Sequence, residues 1–474
     1  MSNTAIALPE MGSDVGDQSP ARILATAREA LRVEDEASAL KLRCAVAWAD
    51  AHPPEHPAYA ATFAAPGLDG GESLAGDGCP LVAEHAVAEF GTEMGISTTS
   101  AKKLIGHALE LRHRLPRLWA LVHAGRVASW RARLVAEETI HACPSLPPEA
   151  AAWVDAQVAA VVGKVGPAQV ERLVAEAIKR FELAAPDPAS DPVDGWEHVD
   201  PRHATLHRDA LHFAGTLRFE AELDLAEALD LDDALSAGAE ALKALGFEGS
   251  LDVRRSMALG DLARTQQALD LNGGDQGQAV AELDRVRAGA SRQVVLHVHL
   301  SAAVLGDGGL DFDPIGRLEQ GQRLILLDQV KEWVGHTRTR VTVAPVIDLA
   351  RDNVALGYAV PALMREQVIL RDGTCTFPWC SRPARACDID HVVPYDHEAD
   401  ALGVPQSGPT RPSNLTAICR RHHRLKTQSP WRVEMPSPGK LVWTSPHGHR
   451  YLRDFGGTTR LDGGEESPPA RARS

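Results

Sequence analysis

A chain of 474 residues with 64 acidic and 49 Lys/Arg side chains carries a net charge of −15, and that length allows two or three domains with a sizeable core. No apolar run is long enough to span a bilayer, and the start lacks a basic stretch followed by an apolar one, so membrane and secreted classes are set aside and a cytoplasmic protein is expected. Seven cysteines, odd in number and concentrated toward one end, argue for metal binding rather than a disulfide framework.

The acidic balance does not exclude a nucleic-acid partner. Residues 361–453 hold 13 Lys/Arg against 8 Asp/Glu, a local balance of +5. Salt confines each charge's field to about 8–10 Å, so an acidic chain can still present a basic face.

Residues 1–20, polar and rich in Gly, Ser and Asp, read as a disordered N-terminus. A mainly helical region with a few strands is expected over 21–350. It opens with a helix from Ala21 to about Ala51, with Leu24, Ala27 and Leu31 on one stripe. A loop follows over 52–80, then more helix over 81–183. There Val170, Leu173, Val174, Ile178 and Phe181 keep a 3.6-residue period behind Pro167 at a helix start.

Within this region Phe90 to Ile105 resembles a helix-turn-helix, with Gly91, the turn glycine Gly95 and the apolar Ile96 right after it. From Lys102 to Arg133 there are eight Lys/Arg and one acid, Glu110. One reading is a helix presented to DNA phosphates. We prefer a helical pair in a bundle with a solvated basic face, because such turns are common between ordinary helices.

Residues 184–203 read as a Pro/Asp-rich linker, and a helical block follows that includes Asp252 to Leu269. The Gly-rich stretch 272–290 is expected to be a mobile connection. Val294–Leu300 and Arg340–Ile347 alternate as strands. His297 and His299 share one strand face, read as a polar outer face rather than a metal pair. Trp431–Glu434 and Lys440–Trp443 flank a turn and predict a hairpin, and 456–474 predicts a flexible tail.

The densest chemistry lies between Cys375 and Lys426. Cys375 and Cys380 sit on a short turn, and Cys419 and His422 lie three apart on a helical segment. Two such pairs make a tetrahedral S3N site that suits zinc, closed and therefore structural. Cys387 is a spare thiol nearby and an alternative ligand. His423 shares a helical turn with His422 but points about 100° away, so one of the two can close the zinc site while the other serves a different centre. Spacing does not decide which. Asp390 and His391, on a strand, point to opposite faces. An Asp/His site suits a hard cation such as Mg2+ or Mn2+, and an imidazole beside it can take a proton from water.

Cys375-x4-Cys380, Asp388-Ile-Asp390-His391, Asn414-Leu and Cys419-x2-His422-His423-x2-Lys426 together resemble the zinc-bound HNH endonuclease motif. The flanks Arg371 to Cys380 and Trp431-Arg-Val resemble a bacterial group in which this module follows a domain of unknown function 222 (the 13E12-repeat proteins). A looser likeness extends upstream through Leu115-Pro-Arg-Leu, Arg254 to Ala263 and Pro345-Val-Ile-Asp-Leu. The resemblance implies an α+β chain with a large helical N-terminal domain and a small zinc-stapled ββα-metal (His-Me finger) module over 361–453.

It also implies roles. Asp390 and His423 would hold the catalytic Mg2+ or Mn2+, His391 would be the general base, and Asn414 would fix the hairpin loop and the orientation of His391. Cys375, Cys380, Cys419 and His422 would bind the structural Zn2+. Lys426, Arg420 and Arg424 would lie near DNA phosphates. The expectation is a DNA endonuclease with no membrane association, as a homodimer if it cuts both strands. Two other readings are a zinc-containing DNA-binding or regulatory module without catalysis, and a helical interaction scaffold with a structural knuckle. The scaffold leaves Asp390, His391 and Asn414 without a purpose.

Overall fold

The computed structural model describes residues 19–54, 56–60, 70–142, 145–184, 202–207, 216–268 and 349–461, with 212, 298–299, 315–318, 323–326, 328 and 331 between them. The protein is a mixed α+β chain. Among the described residues no helix is long and apolar enough to cross a membrane. The chain divides into two units, one made of 1–199 with 347–474 and the other of 200–346.

The first unit begins with α1 (Pro20–Ala51), opened by a proline at its first turn. The expected stripe does not pack: Leu24 and Leu31 are exposed. Burial falls instead on Ala39, Leu42, Ala45, Val46 and Ala49. The small side chains of this second stripe let α1 lie close to the bundle, which covers only its C-terminal half.

Where a loop was expected over 52–80, β1 (His56–Ala60) and β2 (Gly70–Glu72) pair, and β3 (Val82–Ala83), at the start of the region expected to be helical, completes a three-stranded sheet. Strands this short, carrying His, Pro and Gly, display no alternation to read. The bundle continues with α2 (Ala86–Glu93), α3 (Thr98–His113), α4 (Pro116–His123), α5 (Ser129–Ile140), α6 (Pro148–Val158) and α7 (Pro167–Ala184). Val170 and Val174 of α7 are buried, with Leu173 and Ile178 packed beside them.

The α2–α3 turn follows the sequence reading. Gly95 adopts φ +67°, and the Ile96 amide bonds to the Gly91 carbonyl at 2.9 Å. A Cβ on Gly91 would sit 2.9 Å from that of Ala101, so the two helices need a glycine where they meet. The helical pair lies in a bundle, but its basic face is not simply solvated, because several of these residues are paired within the protein. Lys103 pairs with Glu137 at 2.8 Å, and Lys102 pairs with Glu72. Arg114 is buried against Glu110 at 2.9 Å, and Arg133 donates to His107 Nδ1 at 3.2 Å.

The C-terminal part of this unit runs through helix Ala362–Asp372, strand Asp388–His391, helix His397–Leu402, strand Leu415–Ile418 and helix Arg420–Gln428. The two strands pair antiparallel, with His391 opposite Leu415 and Asp388 opposite Ile418. The expected hairpin, Arg432–Ser437 with Lys440–Thr444, turns at Gly439 with φ +77°. Strands Arg450–Asp454 and Gly457–Arg460 extend it to a four-stranded antiparallel sheet. The expected flexible tail therefore starts too early, because β-branched Thr458 and Thr459 pair with Arg453 and Leu452. Residues 462–474 lie outside the described residues. The core here is aromatic: Phe377 packs edge-on to Trp431 at 5.0 Å and to Trp443 at 5.1 Å.

Helix α2 joins the bundle to this module. Ala88 enters the aromatic core. Buried Glu89 accepts the His447 amide at 3.0 Å, Glu93 pairs with Arg460 at 2.6 Å, and Glu84, just before α2, pairs with Arg424 at 2.7 Å.

In the second unit strands His203–His207 and Arg218–Glu222 pair antiparallel. Helices Leu225–Ala244 and Leu251–Ala268 pack closely at Gly238, where a Cβ would meet that of Ala258 at 2.7 Å. Strands Val298–His299, Ile315–Leu318 and Arg323–Leu326 form an antiparallel sheet in that order. Within the expected strand Val294–Leu300, only Val298–His299 is described. His297, the strand at 340–347 and the connection at 272–290 lie outside the described residues.

Candidate metal centre

Cys375, Cys380, Cys419 and His422 converge so that one ligand atom from each lies within 4.8 Å of the others. The first pair comes from a tight turn in which the Cys380 amide bonds to the Phe377 carbonyl at 3.1 Å. Pro378 presets the first central position, and Trp379 takes φ +61° at the second, the left-handed conformation of a type II turn. The second pair arises because strand Leu415–Ile418 runs directly into helix Arg420–Gln428. Cys419 is that helix's N-cap and His422 lies one turn in.

His422 Nδ1 is 3.2 Å from Cys419 Sγ and 3.5 Å from Cys375 Sγ. A tetrahedron with metal–sulfur bonds of about 2.3 Å has edges of about 3.8 Å, slightly shorter to nitrogen, so these separations suit ligands of one ion. The other ring nitrogen, Nε2, faces Thr98 Oγ1 of α3 at 2.9 Å. With Nε2–H donating to that hydroxyl, Nδ1 keeps its lone pair for the centre. The Phe377 ring stacks on the imidazole at 4.0 Å.

Burial pushes the Cys375 thiol well up. Hydrogen bonds from Cys375 and Cys380, with His422 adding to them, pull Cys419 far below the ordinary thiol range. Cys419 also sits at a helix N-terminus, which favours a thiolate there. A divalent cation would stabilise the further thiolates. Cys387 is outside the ligand set: its thiol points to the Pro383 carbonyl at 3.3 Å.

A second, more open cluster gathers around His423. Asp388 and Asp390, two apart on one strand, both reach His423: Nδ1 is 3.0 Å from Asp388 Oδ2, and Nε2 is 3.5 Å from Asp390 Oδ1. Arg420 pairs with Asp388 at 3.0 Å and Lys426 with Asp390 at 2.7 Å. The expected phosphate contacts are thus engaged in the protein, Arg424 with Glu84 and Lys426 with Asp390, while Arg420 stays 75% exposed.

His391, next along the strand, is buried, which lowers its pKa below the ordinary imidazole value. Its Nε2 meets Thr410 Oγ1 at 2.9 Å, and Tyr358 stacks on its ring. Asn414 Oδ1 accepts the Val393 amide at 2.8 Å, while Nδ2 donates to the carbonyls of Val393 at 3.0 Å and Pro409 at 3.1 Å. The chain just after His391 is thereby clamped.

Among the described residues, the cysteines and His422 form one group and Asp390, His391, Asn414 and His423 form its neighbour, within one strand–strand–helix unit. Sequence reading gave no role to four residues. Asp388 was legible, since residues two apart on a strand share a face. Thr98, Thr410 and Tyr358 carried no signal, because each meets its histidine only through tertiary packing.

Fold and site define the class: an α+β protein in which a helical bundle packs on a Cys3His-containing strand–strand–helix module. The chain belongs to the family of the uncharacterized protein Rv3776 of Mycobacterium tuberculosis, 30% identical over 412 residues, 77% of this chain and 69% of that protein. Uncharacterized proteins Rv2100 and MT2160, from two strains of the same species, are 46% identical over 96 residues, 20% of this chain and 16% of each of them. No family model and no solved structure matches the chain.

Proposed function

We propose that this chain is a metal-dependent HNH-type endonuclease that hydrolyses DNA phosphodiester bonds, with a ββα-metal module stapled by zinc. The observation that carries the reading is Asp390 Oδ1 and His423 Nε2, 3.5 Å apart on a partly exposed face, one strand position from His391. One carboxylate and one imidazole with room for further oxygen ligands fit Mg2+ or Mn2+. When bound, such a cation supplies charge neutralisation on the scissile phosphate.

His391, kept neutral at pH 7 by its burial, takes a proton from a water molecule. The water oxygen bonds to phosphorus as the bond from phosphorus to the 3′ oxygen breaks. That oxygen takes a proton from solvent, leaving 5′-phosphate and 3′-hydroxyl ends. Asn414 keeps the strand end carrying His391 from shifting. Arg420, 75% exposed although paired with Asp388, is the cation that can turn to a neighbouring phosphate. The largely buried Cys3His group would hold Zn2+ as a closed, structural site.

One observation favours the second reading, a zinc-containing DNA-binding or regulatory module without catalysis: Lys426 already neutralises Asp390 at 2.7 Å. The purified chain is incubated with supercoiled plasmid in Mg2+, in Mn2+ or in EDTA. Nicking that needs the cation is expected. DNA retained in a shift assay but never cut with either cation would replace catalysis with the second reading.

A further inference from the structure

We propose that Thr410 is a positioning residue that holds His391 as its Nε2–H tautomer, leaving Nδ1 as the proton-accepting nitrogen, and that the segment 349–361 ahead of the module is thereby part of the active site. The inference rests on the endonuclease reading only in calling His391 a base. The tautomer itself follows from hydrogen-bond geometry.

Thr410 Oγ1 donates to the Gly357 carbonyl at 2.7 Å and lies 2.9 Å from His391 Nε2. A hydroxyl has one hydrogen, and a carbonyl oxygen can only accept. The hydrogen therefore goes to Gly357, and the remaining contact is satisfied only if Nε2 carries the proton and donates to Thr410. The opposite tautomer would set two lone pairs against each other at one of these contacts. Thr410 is fully buried, so no water is at hand to relieve that conflict.

The ring plane is fixed from the same segment. Tyr358 stacks on His391 with centroids 5.3 Å apart and planes 18° from parallel. Gly357 adopts φ +78°, and a Cβ there would meet nothing within 4 Å. The glycine thus answers a backbone requirement that aims its carbonyl, not a shortage of space.

The segment is pinned where it matters. The Ala355 amide bonds to the Thr410 carbonyl at 2.8 Å, Asp352 accepts the Ser413 amide at 2.9 Å, and Arg411 pairs with Asp352. These anchors fall on residues 410–413, between the loop and Asn414, while Gln367 holds the start of the segment through the Arg351 carbonyl at 2.5 Å. The base is thus held from two sides: Asn414 fixes the backbone after it, and Thr410 with Tyr358 fixes its ring.

The test uses the full chain with ring-15N histidine, the His391 signals being assigned by their loss in His391→Asn. A pyrrole-like Nε2 and a pyridine-like Nδ1 are expected in the parent at pH 8. A pyrrole-like Nδ1 would overturn the proposal, and this arm does not depend on the folding of Thr410→Val. Thr410→Val should give mixed tautomers and lower kcat for plasmid nicking by roughly 10–100-fold with little change in KM, while Thr410→Ser should restore both. If Thr410→Val keeps both tautomer and rate, the proposal fails. If the parent never cuts DNA yet carries the expected tautomer and loses it in Thr410→Val, the endonuclease reading fails and the positioning role stands.

Discussion

Replacing Thr98 by Val tests whether the helical bundle is part of the metal centre or merely a neighbour. Thr98 is 5% exposed, and its hydroxyl takes the Nε2–H of His422 at 2.9 Å. Valine keeps the shape and removes the oxygen. The imidazole N–H is then buried without an acceptor, at a cost of about 1–3 kcal/mol. Much of that cost falls on the bound geometry, because ion binding requires Nδ1 to keep its lone pair and so commits the proton to Nε2. Since about 1.4 kcal/mol is a factor of ten, zinc affinity should drop roughly 10–100-fold. Thr98→Ser should stay within about threefold of the parent, since it retains the acceptor. The assay is competition for zinc against a chromophoric chelator at fixed pH, with circular dichroism to confirm that the bundle is intact. Equal affinities for parent and Thr98→Val, or equal losses for Val and Ser, would refute the coupling.

Cys380→Ser should lower zinc content and melting temperature together, and metal removal by a strong chelator should produce a similar loss in the parent; calorimetry on chelated and reloaded samples checks both. Asp388→Asn should leave zinc content unchanged but reduce nicking by roughly 10–100-fold, because the 3.0 Å contact orients His423 toward Asp390; an unaltered rate would remove Asp388 from the site. In the bundle, burial holds His107 down at about 4, and Arg133 pointing at Nδ1 requires that nitrogen unprotonated, although Glu137 at 2.6 Å pulls the other way. An unfolded histidine binds its proton below about 6.5, so stability is full above that pH and is lost as pH falls toward 4. Urea unfolding should show about 2 kcal/mol less stability at pH 5 than at pH 7 from this group, a difference that His107→Gln should largely abolish.

The sequence was most informative where chemistry and spacing act locally. Cys375 with Cys380 and Cys419 with His422 are each joined by one turn of chain, so their pairing could be read directly. The turn at Gly95 and the hairpin at Gly439 were legible because their backbones sit at positive φ, which glycine supplies. The buried face of α1 was misread because alanines at 39, 45 and 49 form it, and alanine does not stand out as core. In the basic run 102–133, Lys102 and Lys103 find their partners Glu72 and Glu137 on other elements, which no local pattern shows. Thr98 lies 324 positions from His422, and no local pattern could join them.

The most direct test of the central claim is the initial rate of plasmid relaxation in Mg2+ for the parent and for His391→Ala, with zinc measured on the same samples. The account predicts a rate lowered by roughly two to four decades with zinc content unchanged. Equal rates in the two proteins would contradict His391 as the base and the catalytic centre built around it.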